Sequence, residues 1–356
     1  MTGSRVLIVG CGGIGGVLAS SLAQLHSMNT ELLELPRVVI RDGKAAAHVR
    51  EHGVRVRGAS ESFGAPRVLA DCSEGDELFD LILLTTQPPH LERAAAQAAP
   101  RLAPNGALVT VQNGLCEERL AAVYGEGSVL GAVVAWGGSS VGPGVVERTS
   151  PGGFTLGRID GDVADPRLHQ LSTLLSCVGP VEITSNLRGA RWSKLAINAA
   201  ISSLGTLGGE RLGTLMKHAF IRRLALEIMS EVVAVAQAEG VRLEKVAGTL
   251  DLPWLALTEP ERAGRAPAGL MSKHAVLLAV GTRYRKLRSS MLAAIERGQE
   301  PAVDFLNGEV VDRGRLHGVD TPVNEAAQRL VHAVARGEQV SSLETARSLL
   351  SAVPGL

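Results

Sequence analysis

The chain has 356 residues, 45% of them hydrophobic and 20% charged, enough to bury one large core or two ordinary ones. Lysine plus arginine equals aspartate plus glutamate at 36 each, and aromatic residues make up only 3%. This balance argues against a nucleic-acid partner, an anionic membrane surface or a base-stacking platform. No apolar run reaches the length of a membrane span.

Taken in order, the first half alternates. An apolar run, Arg5–Val9, meets a glycine loop and then a helical pattern over Val17–Leu25. A second strand is expected at Arg37–Ile40, followed by a helix from Lys44 to His52. "LFDLILLT", Leu78–Thr85, is the continuous apolar run of a strand buried on both faces. A helix over Pro89–Leu102, a strand over Ala107–Val111, a short helix and a strand over Ser128–Ala135 follow. Gly137–Gly157 reads as a hairpin-bearing extension. Strands alternating with helices predict a parallel sheet with crossovers, a doubly wound α/β domain.

The pattern then becomes helical throughout: Arg188–Leu204, Lys217–Gly240, Arg265–Ile295, Pro301–His317, Pro322–Arg336 and Ser341–Leu350. A domain boundary is expected near residue 183, giving domains 1–183 and 184–356, the second all-helical. Glu31–Pro36 and Asp251–Ala268 read as loop insertions. The N-terminus shows no signal peptide pattern, and Cys11, Cys72, Cys116 and Cys177 read as scattered reduced thiols of a cytoplasmic protein.

"RVLIVGCGGIGG" sets Gly10, Gly12 and Gly15 at G-x-G-x-x-G spacing between a strand and a helix. There the first glycine permits a tight turn, the second lets a pyrophosphate approach the backbone, and the third lets helix and strand pack closely. Cys11, Gly13 and Ile14 lie within the same loop. At the end of the second strand, Arg41 suits the 2′-phosphate of NADP and Asp42 suits the ribose 2′-hydroxyl of NAD. "TTQPPH" and "VQNGLCEE", which carry Gln87 and Asn113, end two further strands at the edge where such sheets bind ligands.

"RWSKLAINAAISSL", Arg191–Leu204, has apolar residues on more than one helical face, yet Lys194, Asn198 and Ser202 line a single face at intervals of four. By itself a charge on a helix face is usually just solvated, so the row leaves both a solvated surface and a ligand-facing one open.

In this order, "GCGGIGG", "FDLILLTTQ", "VQNGL", "NLRGARWSKLAINAAISSL" and "RSSML…VDFLNGEVVDRGRLHGVDTPVN" resemble the ketopantoate reductase (2-dehydropantoate 2-reductase) family nearly end to end. The resemblance implies an N-terminal Rossmann-type domain and an all-α C-terminal domain of the 6-phosphogluconate dehydrogenase-like type. It implies NADPH-dependent reduction of ketopantoate to pantoate on the route to pantothenate. By position, Lys194 matches the family's general acid and Asn198 a substrate contact. Ser290 matches the substrate-holding serine of "SSML", Asn113 the asparagine near nicotinamide and substrate, and Arg41 the position used for the NADP phosphate. Gln87 stands where the family often has a phosphate-holding lysine, Ser202 where it has a second asparagine, and Ala302, two before Asp304, where it often has a glutamate. These departures bear on substrate recognition, so a homologous reductase of another branched 2-oxo acid or ketone, or a non-catalytic NADP-binding regulator, stands as the alternative.

Hydride addition to a ketone builds negative charge on its oxygen, and a positioned lysine stabilises that charge and delivers the proton. The expected partner is a small-molecule 2-oxo acid, and a long helical domain also suits a homodimer surface. No metal is expected, because the histidines, His90 and His274 among them, are read as forming no H-x-x-x-H or similar set. A Ser-His-Asp hydrolase is disfavoured for want of a G-x-S-x-G elbow.

Overall fold

A computed structural model of the chain describes residues 3–245 and 250–353. Two compact units emerge: one runs to Gln112 and from Cys116 to Leu187, the other takes Asn113–Leu115 and the chain from Arg188 onward.

The first unit contains β1 (Val6–Val9), α1 (Gly13–Met28), β2 (Arg37–Val39), α2 (Gly43–His52), β3 (Val54–Gly58), β4 (Ser62–Gly64), β5 (Arg67–Leu69) and β6 (Phe79–Leu84). It continues through α3 (Leu91–Ala98), β7 (Leu102–Thr110), α4 (Cys116–Tyr124), β8 (Val129–Val134), β9 (Gly138–Gly142), β10 (Val145–Arg148), β11 (Phe154–Gly157), α5 (Pro166–Leu175) and β12 (Val181–Ile183). Eight strands form one sheet in the order β12-β11-β8-β7-β6-β1-β2-β5, parallel except at β8–β11. β1 is apolar throughout and β6 is apolar apart from Asp80, which pairs with Arg5 at 2.7 Å, because both faces of the sheet are covered. Leu18 and Leu22 of α1, Val49 of α2 and Leu171 of α5 pack with one face. Leu91 and Ala95 of α3 and Leu120 of α4 pack with the other. β2 and β6 flank β1 on opposite sides, so the direction of winding reverses at β1. The crevice beyond the ends of β1 and β6 is where such a sheet takes a ligand.

The segment from Gly137 is more than a hairpin extension. β9 and β10 join β3 and β4 in a second sheet of order β4-β3-β10-β9. This sheet lies against α1, and glycine makes the approach possible. A Cβ on Gly13 would stand 2.1 Å from the Gly138 carbonyl oxygen, and one on Gly64 would stand 2.2 Å from that of Ser20. Glu31–Pro36 is a loop as expected, pinned by a bridge between Ser4 and Leu33, which is fully buried.

Among the described residues the named elements of the second unit are helices: α6 (Leu187–Gly208, its first residue in the first unit), α7 (Leu212–Leu215), α8 (Ala219–Ala238), α9 (Leu252–Leu255) and α10 (Glu259–Arg262). α11 (Pro267–Arg283), α12 (Ser290–Ile295), α13 (Asn307–His317), α14 (Pro322–Ala335) and α15 (Leu343–Ser351) complete it. Asp251–Ala268, expected as a loop, forms α9, capped by Asp251, and α10, closed by a Thr258/Glu261 capping box. Lys273 of α11 pairs with Glu261 at 2.5 Å. Arg265–Ile295, expected as one helix, is broken between Tyr284 and Ser289. Leu212 donates its backbone N–H to the Leu287 carbonyl, and Gly213 lets the Arg285 backbone close in. Ser289 then caps α12 by accepting from the Leu292 N–H. Pro301–His317 likewise divides into a 3-10 turn, Ala302–Phe305, and α13.

Candidate active site

The glycine loop sits at the switch point of the large sheet. Gly10 has φ +109°, a conformation open to glycine. Thr85, at the end of β6, donates its hydroxyl to the Val9 carbonyl at 3.0 Å and the Gly10 carbonyl at 2.9 Å, tying the two strand ends together. A Cβ on Gly15 would meet that Gly10 oxygen at 2.2 Å and Thr85 Oγ1 at 2.4 Å. Gly15 is therefore the packing glycine. Gly12 is the opposite case: it is exposed, and a Cβ there would meet nothing within 4 Å. It caps α1 without a side chain, and the first turn of α1 carries no acidic residue. The orphan N–H groups and the positive end of the helix dipole thus face open space fit for a dinucleotide pyrophosphate. Ile14 and Cys11 are half-buried beside this cradle, and burial pushes the Cys11 thiol up to about 11, so it is no thiolate near neutral pH.

At the end of β2, Asp42 caps α2 by accepting from the Ala45 N–H at 2.8 Å. Its neighbours Arg41 and Lys44 are exposed. Gln87 is exposed at the start of the 3-10 turn Pro88–His90.

In the second unit, α6 resolves the polar row. From Arg191 to Gly208 its half-exposed residues are Lys194, Ile197, Asn198, Ile201 and Ser202, and all the others are buried. These five form one stripe at helical spacing. Trp192, Leu195, Ala196, Ala199 and Ala200 enter the core on the remaining faces. The stripe has a polar edge, Lys194, Asn198 and Ser202, beside an apolar one, Ile197 and Ile201. The Asn198 Nδ2 atom is buried without a hydrogen-bond acceptor among the described residues, and such a donor costs free energy until something accepts from it.

Ser290 is exposed at the start of α12, whereas its neighbour Ser289 is buried and docks on α6. Ser289 Oγ donates to the Ser202 carbonyl at 3.0 Å and lies 3.0 Å from Thr206 Oγ1. A Cβ on Gly205 would stand 2.9 Å from the Ser289 Cβ. The sequence pointed to the exposed serine; the "SSML" cap pattern was the available signal for the buried one. Asn113 groups with the second unit, and Gly114 packs on Phe305 of the turn that begins at Ala302.

Two readings of the sequence are corrected. His48 and His52 do have H-x-x-x-H spacing on α2, with ring centroids 4.6 Å apart, but no group of three His, Cys, Asp or Glu suited to a metal occurs among the described residues. "GSSVG", Gly138–Gly142, does match G-x-S-x-G, but it runs along β9 with Ser140 paired to Val146. A nucleophile elbow needs a strand-to-helix turn.

A doubly wound sheet bearing a glycine cradle, followed by an all-helical unit, is the architecture of the 6-phosphogluconate dehydrogenase-like oxidoreductases. Family models narrow this further: residues 6–161 match "Ketopantoate reductase PanE/ApbA" and residues 186–335 match its C-terminal counterpart. The chain belongs to the ketopantoate reductase family, pyridine-nucleotide-dependent oxidoreductases acting on CH–OH groups. It is 24% identical over 333 residues to the 2-dehydropantoate 2-reductase of Archaeoglobus fulgidus, covering 94% of this chain and 98% of that one. It is 26% identical to that of Mesorhizobium japonicum, covering 94% and 99%. The ketopantoate reductase structure from Ralstonia eutropha JMP134 superposes with TM-score 0.75 at 22% identity, over 94% of this chain and 99% of that one. A D-mandelate dehydrogenase with NADH and anilino(oxo)acetate superposes with TM-score 0.74 at 19% identity, over 97% and 99%.

Proposed function

We propose that this protein reduces a 2-oxo acid with NADPH, ketopantoate being the leading substrate, and that Lys194 is the general acid. The observation that carries this reading is the α6 stripe, which keeps Lys194 and Asn198 half-exposed along one side of a helix whose other sides from Arg191 on are buried. The loop Gly10–Gly15, with Cys11, Gly12, Gly13 and Ile14, holds the dinucleotide, and Gln87 borders it. The bound nicotinamide supplies a hydride to the keto carbon. Lys194 Nζ faces the keto oxygen, stabilises the charge developing there and gives up its proton, so that the product is the neutral hydroxyl. Asn198 donates its otherwise unpartnered Nδ2 hydrogen to the substrate, and Asn113, Ser202 and Ser290 complete its contacts. For the coenzyme, the Asp42 carboxylate is engaged as a helix cap, which favours the Arg41 guanidinium as the group addressing the adenosine ribose and supports NADP over NAD.

The test follows NADPH oxidation with ketopantoate. Turnover that falls by about 10²- to 10⁴-fold in Lys194→Ala, with the NADPH Kd unchanged, supports the reading; equal turnover in the variant sinks it. Tight NADPH binding without turnover on any 2-oxo acid would instead make the chain a nucleotide-binding regulator.

A second reading, a different branched or aryl 2-oxo acid, is favoured by the apolar edge of the same stripe, Ile197 and Ile201, and by Ala302 and Ser202. The relative carrying NADH and anilino(oxo)acetate gives it a precedent. A higher kcat/KM for 3-methyl-2-oxobutanoate or phenylglyoxylate than for ketopantoate would decide for it.

A further inference from the structure

Asn113 follows the C-terminal end of β7, a strand of the nucleotide-binding unit, yet the packing around it belongs elsewhere. Leu115 is 3% exposed and lies in the core of the helical unit with Trp192, Leu195 and Leu306. Gly114 has φ +95°, and a Cβ on it would stand 2.6 Å from the Phe305 carbonyl oxygen. Two residues beyond Phe305, the fully buried Asn307 donates its Nδ2 hydrogens to the Ala199 carbonyl at 3.3 Å and to Asn324 Oδ1 at 2.9 Å. Ala199 is the α6 residue next to Asn198. Asn324 is oriented in turn by the buried Glu231, whose carboxylate accepts its backbone N–H at 2.8 Å and its Nδ2 hydrogen at 2.7 Å.

We propose that Gly114, Leu115 and Asn307 are positioning residues that fasten the Asn113 loop to α6, so that Asn113 holds a fixed place relative to Lys194 and Asn198 rather than to the nucleotide cradle. The proposal rests on the reductase reading for its catalytic readout. The physical case is continuity. Gly114 leaves no gap against the Phe305 backbone, and the chain passes directly from Phe305 to Asn307. The Asn307 amide cannot be turned round without setting its oxygen against two acceptors. Gly114, Leu115 and Asn307 are buried, and the Asn307 hydrogen bonds are costly to leave unmade. A ligand asparagine displaced by about 1 Å can lose about 10²-fold in rate without itself being altered.

The experiment uses the full-length protein. Gly114→Ala and Leu115→Ala are expected to lower kcat at saturating 2-oxo acid at least about tenfold, while the NADPH Kd from fluorescence titration stays within about twofold. Leu115→Met, which refills the volume, is expected to regain most of the activity. Folded variants with kcat and KM within about twofold of wild type, or with NADPH affinity lost in step with kcat, overturn the proposal. A second arm needs no turnover. Amide hydrogen exchange in a peptide spanning Gln112–Glu117 is expected to quicken at least about tenfold in Asn307→Ala, with the α1 peptide unchanged. Exchange in that loop unaltered by the substitution overturns the proposal just as firmly. Should Asn307→Ala not fold, Asn307→Ser is read in the same way. If the wild type turns over no 2-oxo acid, the reductase reading fails while the exchange arm still decides the fastening.

Discussion

Gly12 and Gly15 belong to one motif, yet the structure assigns them opposite duties, and alanine at each separates the two. At Gly15 the new Cβ would lie 2.2 Å from the Gly10 carbonyl oxygen, so reaching an ordinary contact of 3.4 Å requires about 1.2 Å of movement (3.4 − 2.2) by backbone on both sides. That movement pulls the Gly10 carbonyl away from the Thr85 hydroxyl, which donates to it at 2.9 Å. Overpacking costs about 1–3 kcal/mol and the lost hydrogen bond about 1 kcal/mol more, together about 2–4 kcal/mol. For a unit of this size that lowers the unfolding midpoint by roughly 4–16 °C. At Gly12 the backbone is extended, φ −77° and ψ −158°, which any residue adopts, and the Cβ meets no protein atom. Only the weaker capping preference of alanine opposes the change, a cost of about 1 kcal/mol or less. On the proposed reading the new methyl group occupies space meant for the pyrophosphate, so NADPH affinity is expected to fall at least about tenfold, or about 1.4 kcal/mol. Thermal unfolding without ligand and fluorescence titration with NADPH measure the two quantities. A Gly12→Ala protein destabilised as much as Gly15→Ala, or one binding NADPH as well as the wild type, would refute this division of labour.

Replacing Arg41 by alanine is expected to lower the preference for NADPH over NADH at least about tenfold, mainly by weakening NADPH; an unchanged ratio of the two Kd values removes Arg41 from phosphate recognition. Ser289→Ala is expected to cost about 1 kcal/mol in chemical denaturation, because Ser289 caps α12. Ser290→Ala is exposed and should leave stability alone, so a higher KM for the oxo acid reports a substrate contact, while unaltered kinetics remove it from the site. Asp165 is buried and ion-paired to Arg167 and Arg158. The Arg167 side-chain hydrogen bond, ahead of the opposing desolvation and aided by Arg158, holds its carboxyl well below the usual carboxylate range. A depressed folded-state pKa stabilises above the unfolded value of about 3.9 and loses that contribution as pH falls through it toward the folded value. Asp165→Asn should therefore cost about 3 kcal/mol at pH 7 and progressively less below about pH 4. A cost independent of pH would show that the ion pairs are not its source.

Elements buried on both faces were plain in the residues. "VLIV" and "FDLILL" suit doubly covered strands by their length and apolar content, and the glycine spacing between strand and helix carries its own steric logic. Shorter or alternating elements escaped. β3, "VRVRG", alternates buried valine with exposed arginine, a period of two that was available to be read. α5 begins at Asp165-Pro166, a cap followed by proline at the first helical position, also a local signal. The break before α12 was different in kind. Nothing local interrupts the helical pattern decisively at Arg283–Arg288; the approach of Gly213 and the backbone bond from Leu212 to Leu287 make the turn.

By itself the sequence determined the doubly wound sheet, the all-helical second half, the glycine loop between the first strand and helix, and the helix bearing Lys194, because each is written in residues close along the chain whose periodicity or steric need is local. Tertiary structure alone decided that Gly12 is open while Gly15 is packed, that Ser289 rather than Ser290 touches α6, and that Asn113 is held with the helical unit. Those outcomes depend on which backbone from a distant part of the chain comes within a few ångströms. No window of neighbouring residues contains that information.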